Sequence, residues 1–124
     1  LVYQSREEFF HLDTYFNVPS SNTVVGVKQL MKDSRTEVYY YGKLIEVASF
    51  YDYIRKKGFN VIEVSEKEAR KNYITNFLTI ADGKIVAPRF STKLKEFDVI
   101  TVDVENLTGG RGGIHCMTAV VKRE

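Results

Sequence analysis

The most nucleophilic side chain of this sequence is that of Cys116, which follows a glycine-rich loop. The loop reads Gly-Gly-Arg-Gly-Gly at positions 109–113, and Ile114 and His115 separate it from the cysteine. Glycines let a backbone turn sharply or approach a ligand closely. A thiolate is a good nucleophile, but a lone cysteine in an apolar segment is also a common buried residue. Cys116 is therefore either a nucleophile or a buried structural residue.

A histidine and an aspartate near the start of the chain could cooperate with such a thiol. His11 and Asp13 lie in Phe9–Val18, a segment whose aromatic and β-branched residues predict a strand. Two-residue spacing on a strand puts both side chains on one face, where an imidazole could exchange protons and a carboxylate could hold a cation. The alternative is a pair that makes only structural or solvent hydrogen bonds. By the same alternation, His115 is predicted to face away from Cys116.

Composition argues against several function classes. The 124 residues carry 18 Lys+Arg against 16 Asp+Glu, a net charge of +2 that provides no basic stripe for nucleic acid. One cysteine cannot form an intrachain disulfide, and two histidines are too few for a histidine-based metal cage. No apolar run approaches the roughly 20 residues of a membrane span, and no signal segment is recognisable, so we expect a soluble, cytoplasmic protein without a membrane partner. Because the sequence opens on Leu1 without an initiator Met, we expect an excised or processed piece.

Apolar periodicity and turn residues predict one mixed domain that positions these side chains. Ala81-Asp82-Gly83 between two apolar runs predicts a hairpin, and Lys56-Lys57-Gly58 predicts the end of a helix. The predicted strands are Phe9–Val18, Thr23–Val27, Glu37–Tyr41, Phe59–Val64, Asn76–Ile80, Lys84–Ala87, Phe97–Val104 and Ile114–Val121. The other predicted elements are a polar connector at Lys28–Thr36, a helix at Ile45–Lys57 and a helical turn at Glu66–Lys71.

A weak internal repeat indicates that the domain is built from similar modules. Phe-Asn-Val-Ile-Glu-Val at 59–64 matches Phe-Asp-Val-Ile-Thr-Val at 97–102, a spacing of 38 residues. The implied unit is strand, strand, helix, strand, with the helix between Arg89 and Glu96 much shortened. The predicted fold class is therefore α+β, made of repeated modules.

Three motifs resemble the C-terminal half of the guanidino-group modifying enzymes. His-Leu-Asp-Thr stands at 11–14, Asn-Phe-Leu-Thr-Ile-Ala-Asp-Gly-Lys-Ile-Val-Ala-Pro at 76–88, and Gly-Gly-Arg-Gly-Gly-Ile-His-Cys-Met-Thr at 109–118. This superfamily includes arginine deiminase, agmatine deiminase, dimethylarginine hydrolase and the amidinotransferases. The resemblance covers nearly the whole chain, with the motifs in the family's order.

The resemblance implies both a fold and a set of roles. The fold is a pentein, a five-module α/β propeller, of which residues 1–124 would be the C-terminal half with about two to two and a half ββαβ modules. Cys116 would attack the guanidinium carbon to form a covalent amidino intermediate, and His11 would act as general acid and base. Asp13 would bind the guanidinium, and Arg111 matches the position that binds the substrate carboxylate. Neither a metal nor an organic cofactor is implied, and further acidic residues of the family site have no match here.

Several alternatives stay open at this stage. Ile-His-Cys at 114–116 resembles the agmatine deiminases, so the guanidino substrate could be arginine, agmatine or a methylated arginine. Hydrolysis and amidino transfer share one intermediate, because water and an acceptor amine attack the same carbon. Arg111 could be a solvated loop residue, and the chain could be a non-catalytic interaction module. Because half a propeller would leave module faces uncovered, we also expect a homo-oligomer.

Overall fold

The computed structural model describes residues 1–122, and in this range nine strands form three three-stranded sheets. The strands are β1 (Val2–Tyr3), β2 (Phe16–Ser20), β3 (Thr23–Gly26), β4 (Arg35–Tyr40), β5 (Lys43–Ser49), β6 (Asn60–Glu63), β7 (Leu78–Ala81), β8 (Lys84–Ala87) and β9 (Asp98–Thr101). The α-helices are α1 (Lys28–Asp33), α2 (Phe50–Lys56), α3 (Glu66–Asn72) and α4 (Glu105–Thr108), and 3₁₀ helices span Glu7–Phe9, Leu12–Thr14 and Thr92–Leu94. This mixed content agrees with the predicted α+β class. Within this range, no helix has both the length and the apolar character needed to cross a bilayer.

Two of the sheets share one topology. In the sheet β2-β3-β6, an antiparallel hairpin is followed by a third strand that runs parallel to the second. The sheet β7-β8-β9 has the same arrangement. The segments that match at a spacing of 38 residues contain β6 and β9, the parallel third strands of the two sheets. The sequence repeat therefore corresponds to equivalent strands.

The predicted hairpin around Asp82 is confirmed. β7 and β8 pair antiparallel, with Thr79 opposite Ile85 and Ala81 opposite Lys84. Gly83 in the turn has a φ of 71°, a left-handed conformation that glycine adopts without steric cost. Local turn chemistry was sufficient to identify this element, because the required backbone angle restricts the residue type.

The predicted helical turn at Glu66–Lys71 is also confirmed, as helix α3. The side chain of Ser65 accepts a hydrogen bond from the backbone N–H of Glu68, and the Glu68 carboxylate accepts one from the backbone N–H of Ser65. This reciprocal pairing satisfies N–H groups that the helix itself leaves unpaired.

The predicted helix over Ile45–Lys57 is wrong in its first part. Its first residues form β5, which pairs antiparallel with β4. Helix α2 begins only after Ser49, whose side chain accepts a hydrogen bond from the backbone N–H of Asp52. Leu44 and Val47 fit a helical spacing, but they lie on β5 and are 49% and 50% exposed. Their spacing did not reflect a buried helix face.

The segment Lys28–Thr36, predicted to be a polar connector, contains helix α1. Leu30 and Met31 within this helix are fully buried. The helix has only six residues, so its apolar face consists of these two side chains and produces no periodic pattern in the sequence.

The two segments that carry the candidate site residues were predicted to be strands, and both predictions are wrong. Within Phe9–Val18, only the last residues belong to a strand, which is β2, and 3₁₀ helices precede it. Ile114–Val121 contains a turn and no strand. Phe9 and Tyr15 are fully buried, with their rings edge to face at 6.4 Å. Ile114 is 6% exposed. These apolar side chains anchor loops in the core, and composition cannot distinguish such loops from strands.

The core lies close to the segment that precedes β7. The largest side chains with almost no exposure are Tyr15, Phe9, Phe77, Leu30, Met31, Ile85 and Leu94. Asn17 in β2 donates hydrogen bonds from its amide to the carbonyl oxygens of Thr75 (2.7 Å) and Phe77 (2.8 Å). These contacts hold residues 75–77 beside β2 and beside the turn that carries His11 and Asp13.

We expect Phe77→Ala to destabilise the chain by roughly 3–5 kcal/mol, because it leaves a cavity at a fully buried aromatic position. The matched control is Phe90→Ala, since Phe90 is 60% exposed and its truncation should cost about 0.5 kcal/mol or less. Urea unfolding monitored by circular dichroism measures both changes. Equal midpoints for the two variants would contradict the assignment of Phe77 to the core.

Candidate active site

His11 and Asp13 lie on a short 3₁₀ turn. His11 directly precedes the 3₁₀ helix Leu12–Thr14, and its carbonyl oxygen accepts hydrogen bonds from the backbone N–H and the hydroxyl of Thr14. The carbonyl oxygen of Asp13 accepts bonds from the Thr75 hydroxyl (3.2 Å) and the Asn76 amide (3.3 Å). The turn is thus tied to residues 75 and 76, which lie more than 60 positions later in the chain.

Cys116 lies on a second turn, which is tied to the same asparagine. The backbone N–H of Cys116 donates to the Asn76 side-chain oxygen at 3.1 Å, and the backbone N–H of His115 donates to the Asn76 carbonyl oxygen at 3.1 Å. The backbone N–H of Met117 donates to the carbonyl oxygens of Gly113 and Ile114, which closes the turn. Asn76 is 2% exposed. The two turns that carry the candidate residues therefore meet on one buried side chain.

Two glycines of the loop are needed for this close approach. A Cβ atom on Gly113 would lie 2.7 Å from the Asn76 side-chain oxygen and 2.8 Å from its Cβ atom. A Cβ atom on Gly112 would lie 2.8 Å from the Cβ atom of Cys116. All three distances are shorter than real Cβ contacts, so the glycines at 112 and 113 are explained by packing against Cys116 and Asn76.

The Asp13 carboxylate touches both Cys116 and a histidine. Its Oδ2 atom lies 3.3 Å from the Cys116 Sγ atom, which donates to it, and 2.9 Å from the His115 Nδ1 atom. The prediction that His115 faces away from Cys116 is wrong, because it assumed the alternation of a strand and the segment is a turn. The Oδ1 atom of Asp13 is buried and has no hydrogen-bond partner among residues 1–122.

The electrostatics around the sulfur favour the neutral thiol. Partial burial raises the pKa of Cys116, and the Asp13 carboxylate raises it further because a second negative charge at 3.3 Å repels a thiolate. The amide of Asn76 donates to the sulfur at 3.0 Å and lowers the pKa, although the net shift is upward. A thiolate at this position therefore forms more readily when a cation offsets Asp13.

All four residues that the sequence singled out line one open cleft of about 490 Å³. These are His11, Asp13, Arg111 and Cys116, and His115 joins them. The imidazole of His11 packs against the Phe10 ring, tilted by 59° with 4.1 Å between ring centroids, and within residues 1–122 it makes no hydrogen bond. Arg111 is exposed and has a φ of 65°, so its backbone takes the left-handed conformation beside the glycines.

Sequence reasoning missed Asn76 and assigned the wrong geometry to His115. Asn76 stands at the start of an apolar run that reads as a strand, and a single amide in such a run has no distinguishing pattern. The glycines at 112 and 113 indicated that the backbone approaches another group closely, but they did not identify that group. Among the residues described, no group of three or more His, Cys, Asp or Glu side chains could hold a metal ion.

The chain is similar to proteins of one known family over nearly its whole length. The family model of arginine deiminase matches residues 2–123. The chain is also 31% identical to an arginine deiminase of Halobacterium salinarum (strain ATCC 29341 / DSM 671 / R1), in an alignment that covers 94% of this chain. The same alignment covers 31% of that relative, so the chain spans about a third of its length.

We expect Gly113→Ala to displace the cysteine turn, because the added methyl group would overlap Asn76. The cost should be roughly 1–3 kcal/mol, as for other overpacked positions, and the Cys116 alkylation rate should change with it. Gly109→Ala is the control, since its Cβ atom would meet nothing within 4 Å. Urea midpoints and alkylation rates that are the same for both variants would rule out this packing role.

Proposed function

The chain belongs to the arginine deiminase family, and we propose that it carries the cysteine nucleophile of a hydrolase that acts on a guanidino substrate. The observation that carries the proposal is the contact between the Cys116 sulfur and the Asp13 carboxylate at 3.3 Å, in a cleft that His11 and Arg111 also line. A nucleophile, an anion for a cationic substrate, an imidazole and a cation for a carboxylate are thereby present in one place.

Asp13 is proposed to bind the guanidinium. A guanidinium is planar and permanently charged, and a carboxylate accepts its N–H groups in a fixed geometry. Because the Asp13 Oδ2 atom is 3.3 Å from the sulfur, a guanidinium bound to this carboxylate has its carbon close to the nucleophile. His115, at 2.9 Å from the same oxygen, holds the carboxylate in this orientation. The substrate cation also offsets the negative charge that raises the pKa of Cys116.

The proposed reaction has two stages. First, the Cys116 thiolate forms a C–S bond to the guanidinium carbon, and the His11 imidazolium gives a proton to one nitrogen, which leaves as ammonia when its C–N bond breaks. Second, neutral His11 takes a proton from water, and the water oxygen adds to the same carbon. The C–S bond then breaks, the hydroxyl proton is released to ammonia through solvent, and the thiolate is restored. Guanidinium and water thus give a ureido product and ammonium.

Arg111 is proposed to bind a carboxylate of the substrate. Its guanidinium is a planar cation with five N–H donors, which suits a carboxylate in two-point contact. Arg111 lines the cleft with Cys116, on the glycine-rich loop. A substrate with both a guanidinium and a carboxylate would then span from Asp13 to Arg111, which favours arginine over agmatine, which has no carboxylate.

The site is proposed to be completed by residues outside this chain. The chain spans about a third of the length of its curated relative, and the resemblance implies further acidic residues that have no match here. We propose that the two similar sheets are modules of a pentein propeller and that residues 1–124 are its C-terminal half. The exposed apolar side chains Leu44, Ile45 and Val47 on β5 support association of the isolated chain into a homo-oligomer. We also propose a cytoplasmic location.

Recognition of a cation by Asp13 can be measured on the 124-residue chain itself. Chloroacetamidine and chloroacetamide alkylate the same thiolate, but only the first is cationic, so the ratio of their rates with Cys116 is independent of the thiolate fraction. We expect Asp13→Asn to lower this ratio about tenfold, the effect of losing one hydrogen bond between charged groups. Asp98→Asn, a change on exposed β9, should leave it unchanged. A ratio that Asp13→Asn does not alter would exclude Asp13 as the cation site.

Catalysis is tested in the full-length protein. We expect Cys116→Ser to lower the release of ammonia from arginine or agmatine, and of ammonia or a methylamine from methylated arginine, by about a thousandfold or more, because it removes the nucleophile. Val121→Ser, at a position 97% exposed, is the control and should keep activity. The far-UV circular dichroism spectra of the unaltered protein and the two variants should match. The 124-residue chain alone should release no ammonia. Full activity of a folded Cys116→Ser protein would refute the proposed nucleophile.

A further inference from the structure

We propose that Asn76 stabilises the thiolate form of Cys116, in addition to holding the cysteine turn in place. This inference rests on the proposed function, in which the thiolate is the reacting species. Neither Asn76 nor an equivalent role was apparent in the sequence. The proposal follows from the contacts of Asn76 with the Cys116 sulfur and with the backbone N–H groups of Cys116 and His115.

Asn76 contacts the Cys116 turn at three points. Its Nδ2 atom donates to the Cys116 sulfur at 3.0 Å, and its Oδ1 atom accepts from the Cys116 backbone N–H at 3.1 Å. Its carbonyl oxygen accepts from the backbone N–H of His115 at 3.1 Å. Asn76 itself is 2% exposed, so water has little access to its side of these bonds.

The orientation of the amide is determined by its surroundings. The backbone N–H of Cys116 can only donate, so the side-chain atom facing it must be the carbonyl oxygen. That places the NH₂ group toward the sulfur and toward the Asp13 carbonyl oxygen, which accepts from it at 3.3 Å. A rotated amide would put two donors together at one end and two acceptors together at the other. The hydrogen bond to sulfur therefore always has Asn76 as its donor.

The two polar groups against the sulfur respond oppositely to its ionisation. Asp13 accepts a hydrogen bond from the thiol, so this contact is lost and becomes repulsive when the proton leaves. Asn76 donates, so its bond strengthens when the sulfur becomes negative. The other titratable or charged groups in the cleft are His11, His115 and Arg111, and His115 is paired with Asp13. Asn76 is the neutral side chain in contact with the sulfur that favours the anion, and the backbone of Gly113 acts in the same direction.

The test measures the thiol pKa of Cys116 in the 124-residue chain, from the pH dependence of alkylation by neutral chloroacetamide and from thiolate absorbance. We expect Asn76→Ala to shift the midpoint upward by about one pH unit, so that alkylation below the midpoint slows about tenfold. Well above the midpoint, where both proteins are fully ionised, the two rates should converge. That convergence separates a change in pKa from a change in access to the sulfur.

Two further variants keep the test decisive. Asn76→Asp preserves the shape of the side chain but replaces the donor with a carboxylate oxygen, so it should raise the midpoint at least as much as Asn76→Ala. Gln4→Ala is the matched control, because the Gln4 amide also donates two hydrogen bonds, to the Leu30 carbonyl oxygen and the Ser34 hydroxyl, but none to the sulfur or to residues 75–77. It should lower the urea midpoint and leave the thiol pKa unchanged.

An unchanged or lowered thiol pKa in a folded Asn76 variant would overturn the proposal, as would an upward shift of the same size in Gln4→Ala. The measurement needs no substrate, so it is independent of catalysis. If the amidine-to-amide alkylation ratio shows no dependence on Asp13 while Asn76→Ala still raises the thiol pKa, the proposed function fails and the role of Asn76 stands.

Discussion

The buried amide of Asn76 is the interaction on which the geometry of the cleft depends. Its side chain bonds the carbonyl oxygen of Asp13, 63 positions away, and both the backbone N–H and the sulfur of Cys116, 40 positions away. Neither turn has enough local hydrogen bonding to fix its distance from the other. Position 113 requires glycine, because the side chain of any larger residue would overlap the space that the amide occupies. The hairpin β7–β8 and the Asn17 contacts to Thr75 and Phe77 then hold the amide itself in place.

Those parts of the fold that have a local cause were predictable. The Gly83 turn and the Ser65 capping box each follow from short-range chemistry, and the 38-residue repeat identified β6 and β9 as equivalent strands. The failures share a different cause. Leu44 and Val47 have helical spacing on a half-exposed strand, and the apolar residues of 9–15 bury themselves from 3₁₀ turns. Long-range packing determines the secondary structure of such segments, and this packing produces no periodic pattern of apolar residues in a single sequence.

Residue chemistry and spacing first singled out His11, Asp13 and Cys116, and the resemblance of whole motifs then added Arg111 and the expected roles. His11, Asp13, Arg111 and Cys116 do line one cleft, yet the strand alternation used to place His11 with Asp13 does not occur. The same assumption turned His115 away from the sulfur, whereas it binds the carboxylate oxygen that Cys116 also contacts. Nothing in the sequence indicated a role for Asn76, because a single amide in an apolar run gives the same pattern whether or not it hydrogen-bonds another residue. Motif order carried more information than local periodicity.

Under the proposed function, the arrangement of charge around Cys116 links substrate choice to reactivity. Asp13 favours the neutral thiol, since its carboxylate accepts the thiol proton in a hydrogen bond and repels the anion. A neutral molecule in the cleft leaves that balance unchanged. A cation bound to Asp13 removes the repulsion, and the Asn76 donor, which is present in both states, then favours the thiolate. Under the proposed function, a guanidinium therefore both occupies the site and converts the sulfur to its reactive form, so recognition and activation depend on the same carboxylate.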